Sequence, residues 1–145
     1  MKENIYFDTS ALAKWYLNEP RSEEVEEYIQ AHGPVGISDL TVVEMRSLLS
    51  RRRREKSIDL SLEMRIFAVF QEDIRKKFLI CHSLPGGFAW GAVNLISSLS
   101  EIPLRTLDAL HLLVAKENGA KFIATADRIM ATGAKLLGFS VVRFD

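Results

Sequence analysis

The chain has 145 residues, nearly half of them hydrophobic, with 19 Lys and Arg against 19 Asp and Glu. That length and apolar content exclude a disordered chain and a two-domain one, and zero net charge removes any global pull toward nucleic acid. One cysteine (Cys81) excludes an internal disulfide, the most apolar stretch is short of the about 20 residues that span a bilayer, and no signal-peptide pattern opens the chain, so a soluble cytoplasmic protein is expected. In chain order, a β-prone run at 4–7 leads into a short helical pattern at 10–17, broken by Asn18-Glu19-Pro20. A second helix is predicted at 22–31, stopped by Gly33-Pro34, followed by a strand at 34–37 and a helix at 40–55. Residues 62–77 form the next helix, with Leu62, Ile66, Phe70 and Ile74 at helical spacing, and 78–82 the next strand. The pattern at 88–100 carries two apolar stripes, Phe88, Ala92, Leu95, Leu99 and Trp90, Val93, Ser97, which predicts a helix buried on both sides. Helices at 106–118 and 126–137 end at Gly119 and Gly138, with strands at 122–125 and 140–144. Strands alternating with helices predict one domain over 1–145 with a parallel sheet covered on both faces.

Four acids stand at strand-to-helix junctions or in the first turn of a helix: Asp8, Glu44, Asp108 and Asp127. In an open α/β sheet such positions gather around one crevice. Carboxylates about 4 Å apart repel by roughly 4 kcal/mol per pair at an effective dielectric near 20, so a gathered set needs protons or cations. Hard oxygen ligands suit Mg²⁺ or Mn²⁺. Each acid also has a purely structural explanation. Asp8 and Asp127 suit helix caps, Thr41-Val42-Val43-Glu44 matches a capping box, and Asp108 suits the positive end of its helix.

Capping alone does not predict the words around these acids: Asp8-Thr9-Ser10-Ala11-Leu12, Ser38-x-x-Thr41-x-x-Glu44, Leu104-Arg105-x-x-Asp108-Ala109-Leu110-His111-Leu112, and Thr125-x-Asp127-x-x-Met130. In this order and spacing they resemble the PIN-domain ribonucleases, and most nearly the small toxins of VapBC-type toxin–antitoxin modules. The resemblance covers nearly the whole chain. It implies a three-layer α/β/α sandwich around a five-stranded parallel sheet, with Asp8, Glu44, Asp108 and Asp127 as metal-binding and catalytic residues and Ser10 and Thr125 supporting them. It further implies an endoribonuclease using Mg²⁺ or Mn²⁺, an RNA substrate, a small antitoxin partner and a homodimer. An ion held this way acidifies a bound water and clamps the scissile phosphate, which leaves 5′-phosphate and 3′-hydroxyl ends.

Two other readings compete. A degenerate PIN domain would bind RNA or protein without cleaving, although all four acids are present. An aspartate-nucleophile phosphohydrolase wants a second aspartate two residues after the first, where this chain has Ser10. Arg51, Arg52, Arg53 and Arg54 read either as a solvated helix end or as contacts to RNA phosphates that could be removed without harm to folding. Leu12, Trp15 and Tyr16 read as core or as a groove for an antitoxin helix. His111 reads as a ligand or proton carrier or, more readily, as a core or supporting histidine, and Cys81 as a small core residue rather than a nucleophile.

Overall fold

The computed structural model describes residues 4–145. Five short strands, β1 (Ile5–Phe7), β2 (Val35–Ser38), β3 (Leu79–His82), β4 (Phe122–Thr125) and β5 (Ser140–Arg143), form one sheet in the order β3-β2-β1-β4-β5. Every neighbouring pair is parallel, with Tyr6 opposite both Gly36 and Ile123. The helices between them are α1 (Thr9–Tyr16), α2 (Ser22–His32), α3 (Asp39–Arg54), α4 (Leu60–Arg75), α5 (Phe88–Ser98), α6 (Thr106–Glu117) and α7 (Arg128–Leu136). The three-layer α/β/α arrangement is the expected one.

The period of two along β1 explains the layers. Ile5 and Phe7 enter one core with Leu12, Val25, Met45 and Phe70 from α1 to α4. Tyr6 turns to the other side, into a core with Leu95, Leu112, Val114 and Met130 from α5 to α7. Both faces of the central strand are therefore buried, as its unbroken apolar run requires. Gly119 and Gly138, with φ of 71° and 95°, supply the left-handed turns that end α6 and α7. Among the described residues, no helix is long and apolar enough to cross a membrane.

The structure corrects two readings of helix faces and shifts several boundaries by one or two residues. Helix α5 is not buried on both sides: Ala92 and Leu95 face α6, but Trp90 is 74% exposed, and Phe88, Val93 and Ile96 are exposed too. Its inner face approaches so closely that a Cβ on Gly91 would lie 3.0 Å from the Leu113 methyls. Along α4 the buried stripe is shifted by one residue at its start. Leu62 is exposed, and Glu63 lies inward with Phe67, Phe70 and Ile74. Glu63 is tolerated there because Arg46, Arg53 and Ser50 of α3 hydrogen-bond its carboxylate.

Candidate active site

The sheet order reverses at β1, since the chain moves outward to β2 and β3 on one side and returns to β4 and β5 on the other. Ligands in open α/β sheets bind beyond the carboxyl ends of the strands at such a point. Asp8 leaves the end of β1 there and caps α1, its Oδ1 accepting from the Ala11 N–H at 3.0 Å. The same oxygen accepts from the Ser10 hydroxyl at 2.7 Å, and Oδ2 accepts from the Thr125 hydroxyl, at the end of β4, at 2.5 Å. Ser10 and Thr125 are fixed in turn by the backbone N–H groups of Ala126 and Asp127, at 2.9 and 3.0 Å. Asp127 caps α7 through the Met130 N–H at 3.0 Å. Capping and site placement are thus one arrangement, because the cap bond sets where each carboxylate stands.

Glu44 is not part of a capping box. Helix α3 starts earlier than the Thr41 match implied: Ser38 is the capping residue, and its N–H donates to the Thr41 hydroxyl at 3.1 Å. Glu44, one turn further on, is left to face the site. Its Oε1 accepts from the Thr9 hydroxyl at 2.8 Å and lies 2.5 Å from His111 Nε2. His111 Nδ1 is 2.6 Å from the Tyr6 hydroxyl, which donates to Ser38 Oγ at 2.9 Å. A buried polar chain from β2 through β1 and α6 therefore aims Glu44. Arg105 joins the other two acids: its Nη2 donates to Asp127 at 2.8 Å, and its backbone N–H and Nε donate to Asp108 at 3.1 and 3.3 Å.

Burial pushes the Asp8 carboxyl above its ordinary value, against the pull of its hydrogen bonds from Thr125, Ser10 and Ala11. Burial acts the same way on Glu44, but the hydrogen bond and charge of His111, with Thr9 and Arg105, outweigh it and hold that carboxyl low. Thr9, Tyr6, Arg105 and the Glu44 link of His111 carried no assigned role in the sequence. Thr9 and Arg105 lie inside the motif words, and only the fold shows what they touch. The Cys81 thiol, pushed up to about 11 by burial and by Asp39, stays protonated and fits its core reading.

The donor set is four carboxylates, hard oxygen ligands of the kind that Mg²⁺ and Mn²⁺ take. A cation there would also offset the cost of the buried Asp8 charge. Among the described residues, no three acidic, histidine or cysteine side chains stand close enough as placed to enclose an ion. Each carboxylate is turned to a protein partner instead, Asp108 and Asp127 to the guanidinium of Arg105 and Glu44 to His111. The chemistry of the set fits a divalent ion; the ion pairs must loosen to admit it.

A PIN-domain family model matches residues 5–136. The chain belongs to the PIN-domain family. Ribonuclease VapC46 of Mycobacterium tuberculosis (strain ATCC 25618 / H37Rv) is 30% identical over 141 residues, covering 95% of each chain. Two solved structures share the fold of this PIN domain. Mycobacterium tuberculosis VapC20, described as a sarcin-ricin loop cleaving toxin, has a TM-score of 0.73 at 19% identity over 97% of this chain and 99% of its own. VapBC2 from Rickettsia felis, bound to a DNA fragment from the promoter, has a TM-score of 0.68 at 12% identity over 97% and 99%.

In this PIN domain Glu44, with Thr9, Ser10, Lys14, Arg51 and Arg52, helps line an open cavity of about 470 Å³. The arginine run is divided in its roles. Arg53 pairs with buried Glu63 and Arg52 with Glu19 at 2.5 Å, whereas Arg51 reaches Glu55 only at 4.0 Å. The expectation that the whole run can be changed without cost to folding therefore fails at Arg53, whose loss would leave Glu63 short of a cation. Leu12 is fully buried core and lines no surface groove. Trp15 borders a shallow cavity of about 330 Å³ with Ile29, Pro34 and Phe78, and the half-buried Tyr16 donates its hydroxyl proton to Asp73 at 2.6 Å.

Proposed function

We propose that this PIN domain, acting as one unit over 1–145, is a cytoplasmic, Mg²⁺- or Mn²⁺-dependent endoribonuclease and the toxin of a toxin–antitoxin module. What supports this reading is the network of hydrogen bonds near the switch point of the sheet: Thr125 of β4 holds Asp8, His111 of α6 meets Glu44, and the one guanidinium of Arg105 reaches both Asp108 and Asp127. The likeness to Ribonuclease VapC46 over nearly the full length supports the same reading. A divalent ion bound by these carboxylates would supply an acidified water and charge neutralisation at the scissile phosphate. The chain's own residues do the rest. Thr125 and Ser10 hold Asp8 at the crevice, His111 and Thr9 orient Glu44, and Lys14 and Arg51 line the cavity along which an RNA backbone would pass.

An antitoxin that sets an apolar segment against Trp15 and Phe78 as an anchor and places a basic side chain on the acids would compete with the metal at the latter. The direct experiment is incubation of the purified protein with cellular RNA and Mn²⁺, followed by analysis of the cleaved ends. New 5′-phosphate and 3′-hydroxyl ends that disappear on chelation are expected. Cleavage that persists in chelator, or that yields cyclic phosphates, contradicts the metal-dependent route, and intact RNA under all conditions favours a non-cleaving RNA-binding domain.

A further inference from the structure

Among the described residues, Arg105 is the one cation that hydrogen-bonds two members of the acidic set. It grips Asp108 twice, through its backbone N–H and Nε, and reaches across to Asp127 with Nη2. Those carboxylates come from different elements, so the guanidinium ties the first turn of α6 to the turn before α7. Planar fork geometry makes that span possible, and an ammonium on a flexible stem would not reproduce it. Its charge is also felt at Glu44, with which it shares a second open cavity of about 380 Å³ lined also by Asp108.

The three partners differ in freedom to move. Asp108 is 7% exposed and Asp127 is locked by its cap bond to Met130. The Arg105 side chain is 69% exposed. It can turn into water at little desolvation cost, while the carboxylates remain where α6 and α7 place them. An ion bound through Asp108 Oδ2 and Asp127 Oδ2 would compete with the guanidinium for those oxygens and sit beside its positive charge.

We propose that Arg105 is a built-in counter-cation that competes with the divalent metal ion for Asp108 and Asp127, so that metal enters as the guanidinium swings out to solvent. The proposal rests on the reading of the four acids as a metal site. Without metal, Arg105 relieves the repulsion of two carboxylates that the fold forces together; with metal, it is displaced. By this account the chain sets its own metal affinity lower than its carboxylates alone would give.

The test is Mn²⁺ titration of the full chain, followed by electron paramagnetic resonance of free Mn²⁺, together with melting curves with and without Mn²⁺. Parent, Arg105→Gln, Arg105→Lys and Asp8→Asn proteins are compared. Removing a unit charge a few ångströms from a divalent ion in a largely hydrated setting should tighten Mn²⁺ binding roughly tenfold in Arg105→Gln. That variant should melt lower than the parent without metal and show the larger rise when Mn²⁺ is added. Arg105→Lys, which keeps the charge but loses the span, should fall between. Unchanged or weaker Mn²⁺ binding in Arg105→Gln, with a parent that binds and an Asp8→Asn protein that does not, overturns the role of Arg105 and leaves the metal site standing. Failure of both parent and Arg105→Gln to bind Mn²⁺ overturns the two together. If Arg105→Gln does not fold, Arg105→Lys decides: tighter binding than the parent supports the competition, and equal or weaker binding rejects it.

Discussion

Asp8 is 4% exposed, yet its two oxygens accept hydrogen bonds from Ser10, Ala11 and Thr125. Burial disfavours its charge, and the hydrogen bonds only partly offset that. Asp8→Asn keeps the acceptor that Ala11 needs and removes the buried charge. The metal-free variant should therefore melt at or above the parent temperature at neutral pH while RNA cleavage falls by roughly 10²–10⁴-fold, the share expected when a bound ion loses a ligand. Calorimetry and a cleavage assay on the same preparation check both halves, and a soluble variant cleaving at the parent rate removes Asp8 from the site. At this scale the caps Asp8 and Asp127 were legible, because strand ends and helix starts mark themselves in sequence, whereas the capping box expected at Glu44 belongs to Ser38 and Thr41. Their partners were not: Thr9 with Glu44, and Tyr6 with His111, meet across 35 and 105 residues of chain.

Helices α3 and α4 are joined by a polar clamp rather than by apolar packing alone. Glu63 is buried, which by itself would raise its carboxyl; hydrogen bonds from Arg46 and Arg53, with the charge of Arg53 and the Ser50 hydroxyl, reverse that and hold it below the ordinary 4.5. A carboxyl held low in the folded state favours folding above its unfolded value, and that contribution is lost as pH falls through the folded value. Glu63→Gln should accordingly lower the melting temperature at pH 7, and the gap from the parent should close as pH is taken below about 4.5. A gap that stays constant from pH 7 to pH 3 would deny the clamp its ionic character. At the α5–α6 contact, Gly91→Leu should destabilise by about 1–3 kcal/mol, because Leu113 leaves no room for a side chain. Denaturant unfolding measures it, and an unchanged midpoint would show that the two helices can part. Periodicity located every helix, but it misassigned the faces of α4 and α5. An acid on a buried stripe looks polar to any pattern, and an apolar residue on an open face looks buried.

Over the whole molecule, the charge that is zero in sum is sorted by the fold. Arg105 is drawn to Asp108 and Asp127, and the open cavity that Glu44 lines also carries Lys14, Arg51 and Arg52. Arg54 and Arg51, the latter reaching Glu55 only at 4.0 Å, are the members of the run best placed to meet RNA, since Arg52 and Arg53 are engaged by Glu19 and Glu63. Changing Arg51 and Arg54 to Gln should weaken RNA binding about equally for all sequences and flatten the log–log salt dependence by roughly 0.7 per lost phosphate contact on a single strand. Binding measured across a salt series checks this, and an unchanged slope returns the run to a solvated helix end. The sequence by itself determined the alternation of strands and helices, and hence the parallel sheet, because local periodicity, caps and glycine stops report only on near neighbours. It also placed Asp8 and Asp127 at strand-to-helix junctions and Asp108 in the first turn of its helix, as the fold has them. The tertiary structure alone decided which cation would face them, which side of α5 would stay open, and which arginines would be structural. Those outcomes depend on side chains from distant segments arriving at one place, and no local pattern encodes that arrival.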